Sequence, residues 1–327
     1  FRFGTRALSV EAKQEILAQE RSVNDSINTL SSILFNQIES KLKGKRLVII
    51  PSNILQYIPF SALRLKGKPL IINHEIIILS SSTLLLALKN SSSNRIASNS
   101  VAVLADPVFQ STDSRLKKAT IPKTDFFNSD RAVNFDQNRL PFSGKEAEVI
   151  KLLFANENPL ILLGFDANLE SLLKLGSKPH RIIHFATHSL IDFNYPERSG
   201  LLFSKFKENG EEVNGYLTFN DILNLRLDCD LVVLSSCQTA IAKQLPGEGF
   251  LGLSRAFFYA GARKIMLTLW RVEDESTAVL MSKFYTFLKK GLSPAAALRS
   301  AQISMLQEEK WKSPYHWAAF QIEGDWK

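Results

Sequence analysis

A histidine and a cysteine, His188 and Cys237, each stand just past the end of a short, strongly apolar run. The first run is Arg181-Ile182-Ile183-His184-Phe185-Ala186-Thr187-His188, and the second is Leu231-Val232-Val233-Leu234-Ser235-Ser236-Cys237. Runs this short and this rich in Ile and Val read as buried parallel strands. In an open α/β sheet the carboxyl ends of neighbouring strands form the crevice where ligands bind. A thiol and an imidazole at two such ends can meet in space although 49 residues separate them in sequence. A cysteine nucleophile needs a thiolate, or a base able to make one, so the pair points to thiolate chemistry. Gln238-Thr239-Ala240 follows Cys237 as a loop, which makes the thiol reachable. The competing readings are a small buried hydrophobe for Cys237 and a loop histidine without a role for His188.

The other candidates are weaker. Cys229 precedes its strand and reads as structural. His184 lies inside its strand and shares a face with Ile182 and Ala186, the position of a satisfied core histidine. His180, His184 and His188 are four apart, which aligns metal ligands on a helix but not on a strand followed by a loop, so no metal site is expected. Gly247-Glu248-Gly249-Phe250-Leu251-Gly252 matches a dinucleotide fingerprint. That fingerprint wants its first glycine directly after the strand, and here ten residues intervene, so the segment reads as a loop entering a tightly packed helix.

The elements that must position these groups follow from periodicity. Val10 to Lys43 reads as helix, with Ile16, Leu17, Val23, Ile27, Leu30, Ile33, Leu34 and Ile38 at near-helical spacing, and Gly44 suits its stop. Strands are expected at Leu47–Ile50, Ile76–Leu79 and Val101–Ala105, the last with Asp106-Pro107 at its tip. Residues 108–140 lack periodicity and read as a long surface insertion. Beyond them helix and strand alternate: helix 144–156, strand 160–163, helix 167–175, the His strand, a loop, the Cys strand, helix 249–259, strand 264–270, helices 275–290 and 293–307, and a last strand at 317–322. Such alternation means a mostly parallel sheet covered by helices on both faces. Residues 1–100 are expected to form an N-terminal helix with accessory strands, and 101–327 the catalytic part.

Composition bounds the function. The chain has 327 residues, 45% of them hydrophobic, enough for one large domain or two modest ones. Two cysteines argue against a disulfide framework and for a reducing compartment, so a cytoplasmic location is expected. No apolar run reaches membrane-spanning length and no signal peptide is visible. The chain begins at Phe1, which suggests a piece of a longer protein. The net charge of +8 comes with basic clusters at 41–46, 64–68 and 115–118. Two of them contain Gly and none is interleaved with aromatics, so they read as solvated turns and not as a nucleic-acid surface.

Taken together the motifs resemble the CHAT family of caspase-like peptidases. The resemblance rests on His184-Phe185-Ala186-Thr187-His188, Leu234-Ser235-Ser236-Cys237-Gln238-Thr239-Ala240, Gly247-Glu248-Gly249 with Leu251-Gly252-Leu253, and Ala256-Phe257-Phe258-Tyr259-Ala260-Gly261-Ala262. Leu269-Trp270-Arg271-Val272-Glu273-Asp274, the closing Trp317-Ala318-Ala319-Phe320 and the upstream stretch Leu47 to Phe60 extend it over nearly the whole chain, most weakly over 90–140. The family belongs with caspases, gingipains and separase. The resemblance implies a caspase-like three-layer α/β sandwich and a His188–Cys237 dyad without cofactor. It implies an oxyanion hole made by the backbone N–H groups of Cys237 and of Ser189, which stands where many relatives have Gly. It also implies a preceding helical-repeat module.

Two functions follow as expectations. The first is a cysteine endopeptidase acting on a protein substrate and gated by an N-terminal or partner module. The second is an inactive scaffold that keeps the fold and binds a protein partner. For specificity, the residues after the strand next to the cysteine strand should reach the same crevice. Asp274 among them matches the place where separase-like relatives have a pocket carboxylate, and Asp106 is the second candidate by its strand-end position. Either favours Arg or Lys before the scissile bond. The alternative for Asp274 is a cap on the helix starting at Glu275.

Overall fold

The apolar runs assemble into one sheet. In the computed structural model, residues 10–42, 44–84, 86, 99–117, 138–175, 179–192, 195–235 and 249–325 are described. Eight strands pair in the order β1 (Leu47–Ile49), β4 (Ile76–Ile78), β13 (Phe320–Gly324), β12 (Lys264–Thr268), β11 (Leu231–Leu234), β7 (His180–Ala186), β5 (Asn99–Ala105) and β6 (Leu160–Leu163). Each neighbour is parallel except β12 and β13, which run antiparallel. The five strands from β12 to β6 therefore point their carboxyl ends the same way. β7 and β11 are neighbours, as a dyad split between their ends requires.

Both faces are covered, as the alternation implied. One face carries α3 (Pro141–Leu153), α7 (Asp274–Lys289) and α8 (Pro294–Leu306), with Val103, Ile182, Val233, Ile150, Phe284 and Trp317 in a buried cluster. The opposite face carries α4 (Leu169–Leu175), α5 (Phe219–Leu223) and α6 (Gly249–Tyr259), packed through Leu104, Ile183, Phe185, Val232, Leu172 and Phe257. Odd and even residues of β7 thus go to different cores, the period-2 alternation of a strand buried on both sides.

The expected N-terminal helix is α1 (Val10–Phe35), followed by the short α2 (Glu39–Leu42). A hairpin of β2 (Arg64–Leu65) and β3 (Lys68–Pro69) separates β1 from β4. The C-terminal β13 joins β1 and β4 to the rest of the sheet, so the N-terminal and C-terminal parts share one hydrogen-bonded layer. The stretch between the His and Cys strands, read as a loop, contains a small antiparallel sheet of β8 (Ser189–Leu190), β9 (Gly200–Leu202) and β10 (Tyr216–Thr218). Its strands are two or three residues long, too short to leave a periodic signal.

Candidate active site

His188 sits two residues beyond β7 and one before β8. Its side chain is 1% exposed. The Phe109 ring packs on it with centroids 4.8 Å apart. Its Nε2 lies 2.7 Å from the backbone carbonyl oxygen of Asn138. A carbonyl only accepts, so Nε2 carries the hydrogen, which leaves Nδ1 as the nitrogen that can take a proton from a thiol.

The register of β7 against β11 bears on the cysteine. Val233 pairs with His184 and Leu234 with Phe185, an offset of 49 residues. His188 and Cys237 differ by the same 49. Ser235 still belongs to this ladder, its N–H donating to the Phe185 carbonyl at 3.2 Å. Cys237 itself lies outside the described residues, as do Ser236 and the segment through Glu248, so the cysteine half of the dyad and of the oxyanion hole carries no geometry here.

Ser189, the other residue expected to contribute an oxyanion N–H, is in β8, extended backbone that any residue adopts. Leu202 N–H donates to the His188 carbonyl at 2.9 Å, and Ser189 is paired with Leu201. In an antiparallel ladder hydrogen-bonded and non-hydrogen-bonded pairs alternate, so Ser189–Leu201 is a non-bonded pair and the Ser189 N–H points away from β9.

The two candidate acids have different surroundings. Asp106 is buried at the tip of β5, with φ 50°. Arg139 forks onto its carboxylate, Nε to Oδ1 at 2.9 Å and Nη2 to Oδ2 at 2.6 Å. Arg115 adds a contact to Oδ2 at 3.0 Å and donates to the Asp106 carbonyl at 2.8 Å. Two guanidinium groups thus occupy the Asp106 carboxylate in this structure. The strand-end expectation located the residue but could not see the arginines. Arg115 also holds Asp113 below the usual carboxylate range, chiefly through their side-chain hydrogen bond.

Asp274 is the first residue of α7. It does not cap its own helix: its Oδ2 accepts from the Phe142 N–H, 2.9 Å away, in the first turn of α3. Burial is the main influence on its carboxyl and pushes it up to about 6. The Phe142 hydrogen bond opposes this, and the neighbouring carboxylates of Glu146, Asp106 and Glu273 add to the rise. No cation figures among these influences. Asp274 is thus a half-buried acid at the sheet's carboxyl end, linked by charge to Asp106 and Glu146.

Beneath it lies a polar chain that the residue types alone did not reveal. His184 Nε2 meets Glu146 Oε2 at 2.9 Å, and His184 Nδ1 meets the Tyr285 hydroxyl at 2.9 Å. Burial raises the Tyr285 phenol well above its ordinary range, so it keeps its proton and donates to Nδ1. The Nε2 hydrogen then goes to Glu146. His184 is a satisfied core histidine, as its strand position indicated. Glu146 had a readable signal: on α3 it falls on the buried stripe with Ser143, Ala147 and Ile150, where a carboxylate needs a partner. Beside His188, a depression of about 260 Å³ is lined by Phe109, Gln110, Thr112, Asp113, Ser114, Asn138 and Arg139. Among the described residues no group of three or more His, Cys, Asp or Glu could hold a metal ion.

The CHAT domain family model matches residues 24–325. The chain belongs to the CHAT domain family. Its fold is similar to that of the Arg specific cysteine proteinase gingipain R, at a TM-score of 0.54 and 10% identity over 92% of this chain and 67% of that one. It is also similar to the Saccharomyces cerevisiae separase–securin complex structure, at a TM-score of 0.50 and 13% identity over 85% of this chain and 16% of that one. At such identities the likeness is one of fold. In sequence, 108 residues are 36% identical to tetratricopeptide repeat protein 28 of Mus musculus and 35% identical to that of Homo sapiens. That alignment covers 33% of this CHAT chain and spans 4% of the length of each relative. Among the described residues no helix is long and apolar enough to cross a membrane.

Proposed function

We propose that this CHAT domain is a cysteine endopeptidase that cuts a protein substrate after a basic residue. Cys237 is the nucleophile. His188 takes its proton through Nδ1, the thiolate attacks the peptide carbonyl, and the developing oxyanion is held by the N–H groups of Ser189 and Cys237. His188 then returns the proton to the leaving amine, and water releases the acyl group. The observation that carries this reading is His188 itself. It stands at a strand's carboxyl end with its tautomer set by the Asn138 carbonyl, and its offset from Cys237 equals the register of the two strands. Asp274 is the acid proposed to receive the basic side chain; a substrate guanidinium would offset the neighbouring carboxylates that oppose its ionisation.

The reading includes regulation. His188 is buried, and the site is proposed to be gated. A helical-repeat module, of the kind named in the relatives, is proposed to open it in the full-length protein. The two-cysteine composition fits action in the cytoplasm.

The test is cleavage of a fluorogenic peptide series and of candidate protein partners by the full-length protein. Cys237→Ala and His188→Ala should each abolish turnover, and peptides with Arg or Lys before the bond should be preferred. Wild-type rates in both variants would reject the mechanism. A preference for Asp or apolar residues before the bond would reject the role of Asp274 alone.

A further inference from the structure

The carbonyl that orients His188 belongs to a segment with no regular structure of its own, between the long insertion and α3. A backbone oxygen in such a segment is a good anchor only if its neighbours are fixed. Three contacts fix it. Asn138 accepts from His188 Nε2 at 2.7 Å. The next residue, Arg139, forks onto Asp106. The residue after that, Leu140, offers its carbonyl to the Ser143 hydroxyl at 2.7 Å, and Ser143 in turn accepts from the Asp106 N–H at 2.9 Å. Asp106 therefore holds this short segment twice, by its carboxylate through Arg139 and by its N–H through Ser143. Arg115 and the strand β5 keep Asp106 itself in place.

We infer that Arg139 and Asp106 form a clamp that positions the general base: the ion pair keeps the Asn138 carbonyl on His188 Nε2 and so keeps Nδ1 ready to accept the proton from the thiol. Both are positioning residues, since neither reaches the reacting atoms. The inference rests on the His188–Cys237 reading for its catalytic consequence, but not for its geometry. Arg139 is 45% exposed, so the clamp can be reached from the surface without opening the core. A bidentate fork is directional, whereas a lysine makes one point contact; the variants should therefore be graded.

The experiment uses the full chain with ¹⁵N-labelled histidine and the variants Arg139→Ala, Arg139→Lys and Asp106→Asn. Asparagine suits the left-handed backbone of residue 106, so that variant removes charge without backbone strain. The protonated ring nitrogen of His188 is read by NMR across pH, and iodoacetamide alkylation of Cys237 is followed beside it. In the wild type Nε2 should carry the hydrogen. Arg139→Ala should mix the two tautomers and slow His188-dependent alkylation by on the order of tenfold or more, as displaced catalytic groups do. Arg139→Lys should fall between. A wild-type tautomer and wild-type alkylation in folded Arg139→Ala and Asp106→Asn would overturn the clamp while leaving the dyad intact. Alkylation of wild-type Cys237 that is indifferent to His188→Ala would instead reject the dyad and, with it, the catalytic role of the clamp, whatever the tautomer.

Discussion

Asp106 and Asp274 lie close enough at the carboxyl end of the sheet to feel each other's charge, and the fold treats them in opposite ways. Asp106 is more deeply buried but carries a forked Arg139 and a second contact from Arg115. Asp274 has one backbone N–H and three carboxylate neighbours that oppose its ionisation. Burial alone does not decide the state of an acid; the partner set does. One acid is therefore a structural anchor. The other resists ionisation and would gain from an incoming cation, which is the property a pocket for a basic side chain needs.

Three substitutions probe this contrast. Asp106→Ala removes the forked partner of Arg139 and one of the two carboxylates on Arg115, which keeps Asp113, and puts alanine in a left-handed backbone; together these should cost about 3 kcal/mol. Thermal or urea unfolding would show it, and a loss below ~0.5 kcal/mol would mean the arginines find other partners. Asp274→Asn keeps an acceptor for Phe142 but removes the charge. It should lower cleavage after Arg about a hundredfold with little change after apolar residues, the discrimination a lost charge-assisted contact gives. In the wild type kcat/KM for Arg peptides should fall as pH drops through about 6, where free Asp274 takes up its proton. The variant should lose the part of that fall that is specific to Arg peptides and absent with apolar ones.

The smallest effect is on stability, and its sign is opposite to that of Asp106. The folded-state pKa of Asp274 is raised above its unfolded value of 3.8, to about 6. The protonated acid suits its site, so its contribution is fully present below pH 3.8 and is lost as pH rises through about 6. Asp274→Asn should therefore stabilise the protein by about 1 kcal/mol at pH 8, after allowance for partial exposure, and by nothing near pH 3. Equal effects at both pH values would mean that the charge is not what is costly there.

Much of this architecture was legible because each element had its own period. The strand over 160–163 and the helix over 249–259 have the boundaries that apolar runs and glycine gave them, and His184 was identified as a core residue from its face of β7. The order of the sheet was not legible. The last strand, β13, lies between the first strands and β12, a long-range pairing with no local signature. Around His188 the sequence located the histidine but not what orients it. The acceptor is a main-chain carbonyl, which any residue type at position 138 would offer. Its anchor, Arg139, comes from an aperiodic stretch where an arginine looks like any solvated charge. Pairings such as Arg139 with Asp106, 33 residues apart, or His184 with Tyr285, 101 residues apart, exist only after the chain has folded.

Whether His188 activates Cys237 in a chain with the CHAT fold is tested most directly by covalent labelling. The full-length protein is treated with a peptide electrophile ending in arginine, and the adduct is mapped by mass spectrometry. A single adduct on Cys237 is expected, absent in His188→Ala and strongly reduced in Asp274→Asn. No adduct on Cys237 under any activating condition, or labelling that is indifferent to His188, would contradict it and leave a partner-binding scaffold in its place.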